Sequence, residues 1–295
     1  MSKRRSVITL RLTNFTIWAF KKLGMFRISR LVYNFYSKIQ NRDTFKEYRK
    51  LIASHTDSIQ IIVEVMDIKL SLDLTNFSNF MFKRALEREG LYEPEVTRFI
   101  TENLGKGNVF MDIGANIGYY TLIALPIVGD RGRVIAIEPN PGVFERLKKN
   151  VAINNFENVE LYNFALSDFR GQTLLNIPKL DDGTSSIVND SGSNHIYVDV
   201  FTFDDYFSNS EIDIIKMDVE GAEIQILKSM RRYIANHKTL KIIIEWNRTY
   251  RSREDFSYLE KCFEVFLIEV NGDLHLSKVY SYFDIPFCNL LLMPK

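Results

Sequence analysis

Hydrophobic residues in this chain fall into short apolar runs that alternate with amphipathic segments. Runs in which nearly every position is apolar predict buried parallel strands, and they lie at residues 109–113, 133–138, 159–165, 212–218 and 240–245. Helical spacing predicts helices at residues 141–150, 222–233 and 254–262. The runs at residues 263–270 and 285–293 predict a closing antiparallel pair. This alternation predicts a doubly wound parallel sheet.

Other segments surround this core pattern. Alternating apolar positions at residues 61–74 predict a hairpin that turns at Met66 and Asp67. Helices are predicted at residues 77–89 and from 92 to about 104. Residues 173–199 are rich in Asp, Gly, Ser and Asn, which predicts an irregular insert acting as a partly ordered flap.

The first 50 residues differ in charge from the remainder. They carry thirteen Lys or Arg against Asp43 and Glu47, although the whole chain has a net charge of only +1. Residues 1–39 have helical, amphipathic spacing, so we predict a basic helical extension over 1–50 and a catalytic domain over 51–295. A basic arm on an acidic body suggests contact with something anionic through the arm.

Two interpretations of the arm stay open. Its longest uncharged run, residues 12–20, is far too short to span a bilayer, and it has no signal-peptide pattern. Residues 1–40 could lie on the inner face of a membrane, because Phe15, Trp18 and Phe26 accompany the basic residues, or they could cap the catalytic domain. The isolated Cys262 and Cys288 indicate a reducing, cytoplasmic location.

The stretch VFMDIGANIGYYT, residues 109–121, indicates a ligand-binding turn. A buried strand leads into Gly114, Ala115 and Asn116, and a helix follows. Glycine lets the backbone approach a ligand closely, and the helix start offers free N–H groups. We therefore expect a cradle for the carboxylate and ribose of a nucleotide-like cofactor.

The spacing of this turn distinguishes between cofactors. Dinucleotide enzymes use G-x-G-x-x-G, whereas here Asp112, Gly114 and Gly118 form D-x-G-x-x-x-G, which disfavours an NAD oxidoreductase. This pattern is similar to motif I of S-adenosylmethionine (SAM) methyltransferases. Glu138 lies at the end of the next predicted strand, where an acid can accept hydrogen bonds from both ribose hydroxyls.

Further motifs extend this likeness: Y-E-P-E at 92–95, E-P-N-P at 138–141, A-L-S-D at 165–168 and D-V-E-G-A-E at 218–223. With them the chain resembles the FkbM family of SAM-dependent methyltransferases over roughly residues 60–290. The resemblance implies an α/β class I methyltransferase fold, which is a Rossmann-like, seven-stranded, mostly parallel sheet with helices on both faces. It also implies methyl transfer to a hydroxyl of a sugar, glycan or secondary metabolite.

The resemblance assigns roles to individual residues. Glu138 would bind the ribose hydroxyls, and Asp168, with Ser167 beside it, the adenine amino group. Glu93 would lie near the methionine end of the cofactor. The residues that would hold the methionine end itself are Asp112, Gly114, Asn116 and Gly118.

For catalysis we choose Asp218 at the end of the fourth strand, because a carboxylate there can take the proton of an attacking hydroxyl. His195 is the alternative base. Asp218 with Glu245 and Asn247 would offer oxygen ligands to a divalent metal, but the resemblance demands none and we assign none.

We expect a small-molecule or glycan acceptor. A nucleic acid is disfavoured because the body is acidic and the chain has neither a D/N-P-P-Y motif nor a Pro-Cys nucleophile. A nucleic-acid or protein acceptor, or a non-catalytic SAM-binding module, are the alternatives.

Overall fold

The computed structural model describes residues 47–51, 59–178, 184–187, 194–247, 251–271, 273–279 and 287–295, with the backbone alone at 270, 271, 273, 274 and 287. The chain divides into two compact units, Met1–Asp57 and Ser58–Lys295. In the first unit residues 47–51 are helical, and the predicted helices at 1–39 lie outside the described residues. The boundary predicted after residue 50 stays a prediction. Across the described residues, no helix has both the length and the apolar character needed to cross a bilayer.

The second unit contains thirteen strands and eight helices among its described residues. It begins with β1 (Gln60–Val65), β2 (Ile68–Asp73), α1 (Phe77–Glu89) and α2 (Pro94–Asn103). The alternating part follows with β3 (Val109–Ile113), α3 (Tyr119–Val128), β4 (Arg133–Ile137), α4 (Pro141–Asn154) and β5 (Val159–Tyr162). A small insert contains β6 (Ala165–Leu166), β7 (Gly171–Ile177), β8 (Asn194–Phe201) and α5 (Phe203–Phe207). The rest is β9 (Ile214–Met217), α6 (Glu223–Ser229), α7 (Arg231–Asn236), β10 (Lys241–Asn247), α8 (Arg253–Cys262), β11 (Phe263–Asn271), β12 (Asp273–Lys278) and β13 (Phe287–Pro294).

The main sheet has the order β12-β11-β13-β10-β9-β3-β4-β5. Neighbours from β10 to β5 pair in parallel, and β13 is antiparallel to both β10 and β11. The α/β class with a mostly parallel sheet is therefore confirmed. The sheet has eight strands rather than the predicted seven, because β12 adds an edge strand antiparallel to β11. Its residues 275–278 are exposed, and its apolar alternation is limited to Leu274 and Leu276, which is too short to predict a strand.

Helices cover both faces of this sheet. From β3 the chain proceeds to β4 and β5 on one side, and it later occupies β9 and β10 on the other. Right-handed crossovers then place α3 and α4 on one face and α6 to α8 on the opposite face. The second face is apolar, with Met111, Ile215 and Ile242 in a core with Leu227 and Phe256.

Alternate residues of the same strands point to the α3 face. There the register sets Asp112 of β3 beside Lys216 of β9. Two buried, charged side chains thus lie next to each other near the carboxyl end of the central strands.

The insert is more ordered than predicted. Strands β6, β8 and β7 form a separate three-stranded sheet, so the prediction of an irregular flap over residues 173–199 was wrong for residues 173–177 and 194–199. Leu175, Val198 and Val200 form a small core of their own with Ala165. These residues alternate with polar ones, so the small sheet has one apolar face and one largely polar face. The polar residues gave the segment its loop-like composition and obscured the strand pattern.

The predicted hairpin is present as β1 and β2, with positive φ at Met66 and Asp67 in its turn. It is attached to α4 through side chains. Ser71 N–H donates to Asn150 Oδ1 at 2.8 Å, and Asn150 Nδ2 donates to the carbonyl oxygen of Ile117 at 2.8 Å. Asn150 therefore connects the hairpin to the turn that follows β3.

Candidate active site

The carboxyl ends of β3, β4 and β9 meet at the middle of the sheet, where the chain turns to opposite sides. In open α/β sheets, ligands bind at such a switch point. A cleft opens here, with about 610 Å³ of empty space that includes the solvent at its open mouth. Its polar lining comes from Asn116, Glu138, Ser185, Asp218 and Glu220.

The backbone amides of the turn after β3 donate to residues at the end of β4. Gly114 and Ala115 both donate their N–H to the carbonyl oxygen of Ile137, each at 2.9 Å. Asn116, which has a φ of 52°, donates its N–H to Glu138 Oε2 at 2.9 Å. The turn is thereby fixed to the end of β4.

Gly114 also lies against the end of β9. Its φ is +79°, and a Cβ there would lie 1.9 Å from the carbonyl oxygen of Asp218. We expect Gly114→Ala to lower the free energy of unfolding by about 2–5 kcal/mol, from left-handed strain of about 1–2 kcal/mol and overpacking of about 1–3 kcal/mol. Urea denaturation measures this loss. In the control Gly90→Ala, φ is +77° but no atom lies within 4 Å of the added Cβ, so an equal loss there would contradict the packing argument.

Asp112 lies beneath this turn and is only 1% exposed. Its Oδ2 accepts hydrogen bonds from the N–H of Thr121 at 3.0 Å and from the Thr121 hydroxyl at 2.7 Å. Burial raises the pKa of Asp112, against the opposing effects of Lys216 and of the hydrogen bonds from Thr121. Asp112 thus fixes the first turn of α3 to β3. Because its side chain is buried, it would act on a cofactor by holding the turn in place.

Gly118 directly precedes α3 with a φ of +93°. A Cβ there would lie 2.5 Å from Leu147 Cδ1, so this glycine lets α3 approach α4. Its N–H donates to the carbonyl oxygen of Ala115 at 2.9 Å. Since the N–H of Thr121 is also bonded internally, the expectation of free helix N–H groups was wrong for these two positions.

Glu138 is buried and forms part of the cleft wall. Besides the bond from Asn116, its Oε1 accepts the N–H of Asn140 at 2.8 Å. Burial raises the pKa of Glu138 to about 7, although these two amide hydrogen bonds lower it. A carboxyl held in this way can change its protonation near neutral pH when a ligand binds.

Ser167 and Asp168 follow β6. Ser167 is buried and its hydroxyl donates to Asp168 Oδ1 at 3.3 Å, whereas Asp168 is exposed. The nearby cleft wall is formed by Ala165 and Leu166. The predicted adenine contact of Asp168 stays a prediction.

Asp218 follows β9 and lines the cleft. Its N–H donates to the carbonyl oxygen of Ile113 at 3.0 Å, and its Oδ2 accepts from Lys216 Nζ at 2.8 Å. The Asp218 side chain is 27% exposed, but that of Lys216 is 3% exposed. The Asp218 carboxylate thus stands between a buried ammonium group and the open cleft.

Glu93 precedes α2 with a φ of 40°, a strained conformation for this residue type. Its Oε2 accepts the hydroxyl of Tyr120 at 2.5 Å. Burial and the nearby Asp218 raise the pKa of Glu93, and Lys216 lowers it. Glu93 therefore belongs to the group of charged residues around Lys216.

A buried ion pair secures the turn that carries Asp218. Arg251 and Glu223 form this pair, and their side chains are 5% and 1% exposed. Glu223 Oε1 accepts the N–H of Val219 at 3.0 Å. Arg251 Nη1 donates to the carbonyl oxygen of Gly221 at 2.9 Å. Both ends of the turn are thus tied to charged groups.

Glu245 follows Ile244, the register partner of Met217, and so lies beside Asp218. Burial and the charge of Asp218 raise the pKa of Glu245.

Within the described ranges, no group of three or more His, Cys, Asp and Glu side chains is arranged to hold a metal ion. His195 lies on the exposed side of β8, with Nδ1 2.5 Å from Asn176 Oδ1.

Three charged residues that shape this site received no individual role from the sequence pattern: Lys216, Glu223 and Arg251. Lys216 could have been found, because a lysine inside an otherwise apolar strand needs acidic partners. Arg251 gave no comparable signal, since it meets Glu223 only through the fold.

Comparison with known proteins identifies relatives of this chain. The family model described as "Methyltransferase FkbM domain" matches residues 112–270. A hexuronic acid methyltransferase of Haloferax volcanii is 28% identical over 141 residues, which cover 47% of this chain and 56% of that protein. A protein-L-isoaspartate O-methyltransferase of Methanococcus maripaludis is 28% identical over 96 residues, or 32% of this chain and 37% of that protein.

Among solved structures, a SAM-dependent O-methyltransferase of Thermotoga maritima aligns with a TM-score of 0.42 and 13% identity. The alignment covers 80% of this chain and 78% of that protein. The chain spans about half of the Haloferax protein and about a third of the Methanococcus protein. The family model includes Asp112, Glu138 and Asp218 and covers more than half of the sequence, so this chain belongs to the FkbM methyltransferase family.

Proposed function

We propose that this protein transfers a methyl group from SAM to a hydroxyl group of a sugar, glycan or secondary metabolite. The observation that carries the proposal is that Glu138 and Asp218 line one cleft, with Gly114 and Asn116 between them. One acid stands where ribose hydroxyls would bind, and the other stands at the end of the neighbouring strand. The distribution of carboxylates suits a ligand with hydroxyl donors and a positive charge.

Each predicted site residue has a place in this proposal. Glu138 accepts hydrogen bonds from the ribose, and Asn116 forms the adjacent wall. The methionine end is held by the turn of Asp112, Gly114, Asn116 and Gly118. Asp112 and Gly118 do so by fixing the turn and the start of α3. Ser167 and Asp168 meet the adenine end, and Glu93 supports the methionine end through the residues around Lys216.

SAM supplies a methyl group on a positively charged sulfur, so the donor is already activated. The protein then has to align the acceptor and keep water away. The Asp218 carboxylate accepts the proton of the acceptor hydroxyl as the new oxygen–carbon bond forms. No metal ion is needed for these steps.

One observation supports a sugar-type acceptor, and a second disfavours a nucleic acid. The Haloferax relative is named a hexuronic acid methyltransferase, and the catalytic body is acidic, since residues 51–295 carry 25 basic against 35 acidic residues. An acidic body repels the phosphates of a nucleic acid.

The protonation of Glu138 provides the test of cofactor binding. In the free protein burial raises its pKa from 4.5 to about 7, so its contribution to stability is present below pH 4.5 and is lost as the pH rises through about 7. Ribose hydroxyls favour the charged form. We therefore expect S-adenosylhomocysteine (SAH) to bind with release of up to about one proton near pH 6, and more tightly as the pH rises to about 7.

Calorimetry in buffers of different ionisation enthalpy measures that proton release. Glu138→Gln should bind SAH more weakly and without the release, whereas the exposed control Glu157→Gln should behave like the wild type. Absence of SAH and SAM binding by the wild type would refute the proposed cofactor.

The acceptor is tested with methyl-labelled SAM. Cells that contain the protein should yield a labelled sugar or small metabolite that cells without it lack. Label in nucleic acid or protein would assign the acceptor to that class instead. SAM binding without any labelled product would indicate a non-catalytic module.

A further inference from the structure

Lys216 is a cation inside the main sheet. It occupies β9 within the run Ile214–Met217, in which every residue is buried. Burying an isolated ammonium group is strongly unfavourable. Its charge must therefore be offset by neighbours, and the positions of those neighbours indicate what the lysine does.

Acidic and aromatic groups surround it from several elements. Lys216 Nζ lies 2.8 Å from Asp218 Oδ2 and 4.9 Å from the ring centre of Tyr120. Tyr120 in turn donates to Glu93, and Asp112 is the register neighbour on β3. Burial lowers the pKa of Lys216, but the carboxylates of Asp218, Glu93 and Asp112 more than compensate and raise it.

We propose that Lys216 is a positioning residue for Asp218. Its ammonium group orients the Asp218 carboxylate toward the cleft and offsets the repulsion between this carboxylate and the other buried acids. This inference rests on the proposed function, in which Asp218 faces the methyl donor. Lys216 acts through Asp218, because its own side chain is almost fully enclosed.

The surroundings of Asp218 explain the need for such a residue. The titratable groups that face this cluster are Asp112 on β3, Glu93 and Tyr92 before α2, Tyr120 on α3, Glu220 after β9 and Glu245 on β10. Lys216 is the cation that contacts Asp218 directly within this cluster. Burial and repulsion from Asp218 and Glu220 raise the pKa of Glu245, whereas the charge of Lys216 lowers it.

The test compares SAM, which carries a sulfonium charge, with neutral SAH. Calorimetry from pH 5 to pH 9 gives the ratio of their dissociation constants. In Lys216→Met, Asp218 is left among acids, so SAM should lose affinity relative to SAH by about tenfold as the pH falls. In the wild type, where Lys216 keeps its contact with Asp218, the ratio should vary less over the same pH range.

Three further variants make the result specific. Lys216→Arg keeps the charge and should keep the wild-type profile. In Lys216→Met with Asp218→Asn, the added pH dependence should vanish, because the responding carboxylate is gone. Lys216→Met with Glu93→Gln removes one buried acid together with the cation, and it carries the same test if the single variant does not fold.

The outcomes separate the two proposals. A purely structural role for Lys216 would weaken SAM and SAH equally and leave the pH profile of their ratio unchanged, which would overturn this inference while the proposed function stands. If the wild type binds neither ligand, the proposed function and this inference are both refuted.

Discussion

We expect Asp218→Asn to lower the rate of methyl transfer by about 10²–10⁴-fold, the usual contribution of general base catalysis. The asparagine keeps the shape of the side chain, and the turn remains tied by Glu223 and Arg251. The amide cannot accept the proton of the acceptor hydroxyl. Transfer of labelled methyl from SAM to the acceptor measures the rate, and the affinity for neutral SAH should change little.

Asp130→Asn is the matched control for this experiment. Asp130 is exposed and precedes the amino end of β4, away from the cleft, so its variant should keep the wild-type rate. A rate for Asp218→Asn within about threefold of the wild type, far less than base catalysis contributes, would remove Asp218 from the chemistry.

The second large effect concerns the ion pair behind the Asp218 turn. We expect Arg251→Met to lower the free energy of unfolding by about 3–5 kcal/mol, because it leaves Glu223 buried without its partner charge. The backbone bond from Arg251 to Gly221 is lost as well. Urea denaturation followed by circular dichroism measures the change.

A double variant tests whether the unpaired charge is the cause. Arg251→Met combined with Glu223→Leu removes both charges, and buried ion pairs can often be replaced by apolar residues at little cost. The double variant should therefore be more stable than Arg251→Met alone. If it is less stable by the sum of two independent losses, the pair does not act as a unit.

The central sheet could be predicted because its strands are covered on both faces. Continuous apolar runs gave β3 at its observed limits and β4 within one residue. The insert was harder, since β7 and β8 bury only one face against a small core. The helix predicted at 222–233 is broken into α6 and α7 at Met230, where the apolar spacing shows no interruption.

The position of the candidate site could be predicted from the sequence, but the burial of its individual side chains could not. Glu138 and Asp218 were each predicted at the end of a strand, and both line one cleft. Exposure depends on the neighbours that the fold supplies, so the sequence could not show that Asp112 is enclosed and Asp168 exposed. For the same reason it could not show which acids share Lys216.

The inward hydrogen bonds of Gly114 and Ala115 have a consequence for ligand affinity. A loose glycine turn would lose backbone entropy on binding, at about 1–2 kcal/mol for each residue that becomes ordered. Here both amides are already bound to the end of β4, so that entropy is lost during folding. The turn is preorganised, and contacts made by an incoming ligand contribute to affinity without this ordering cost.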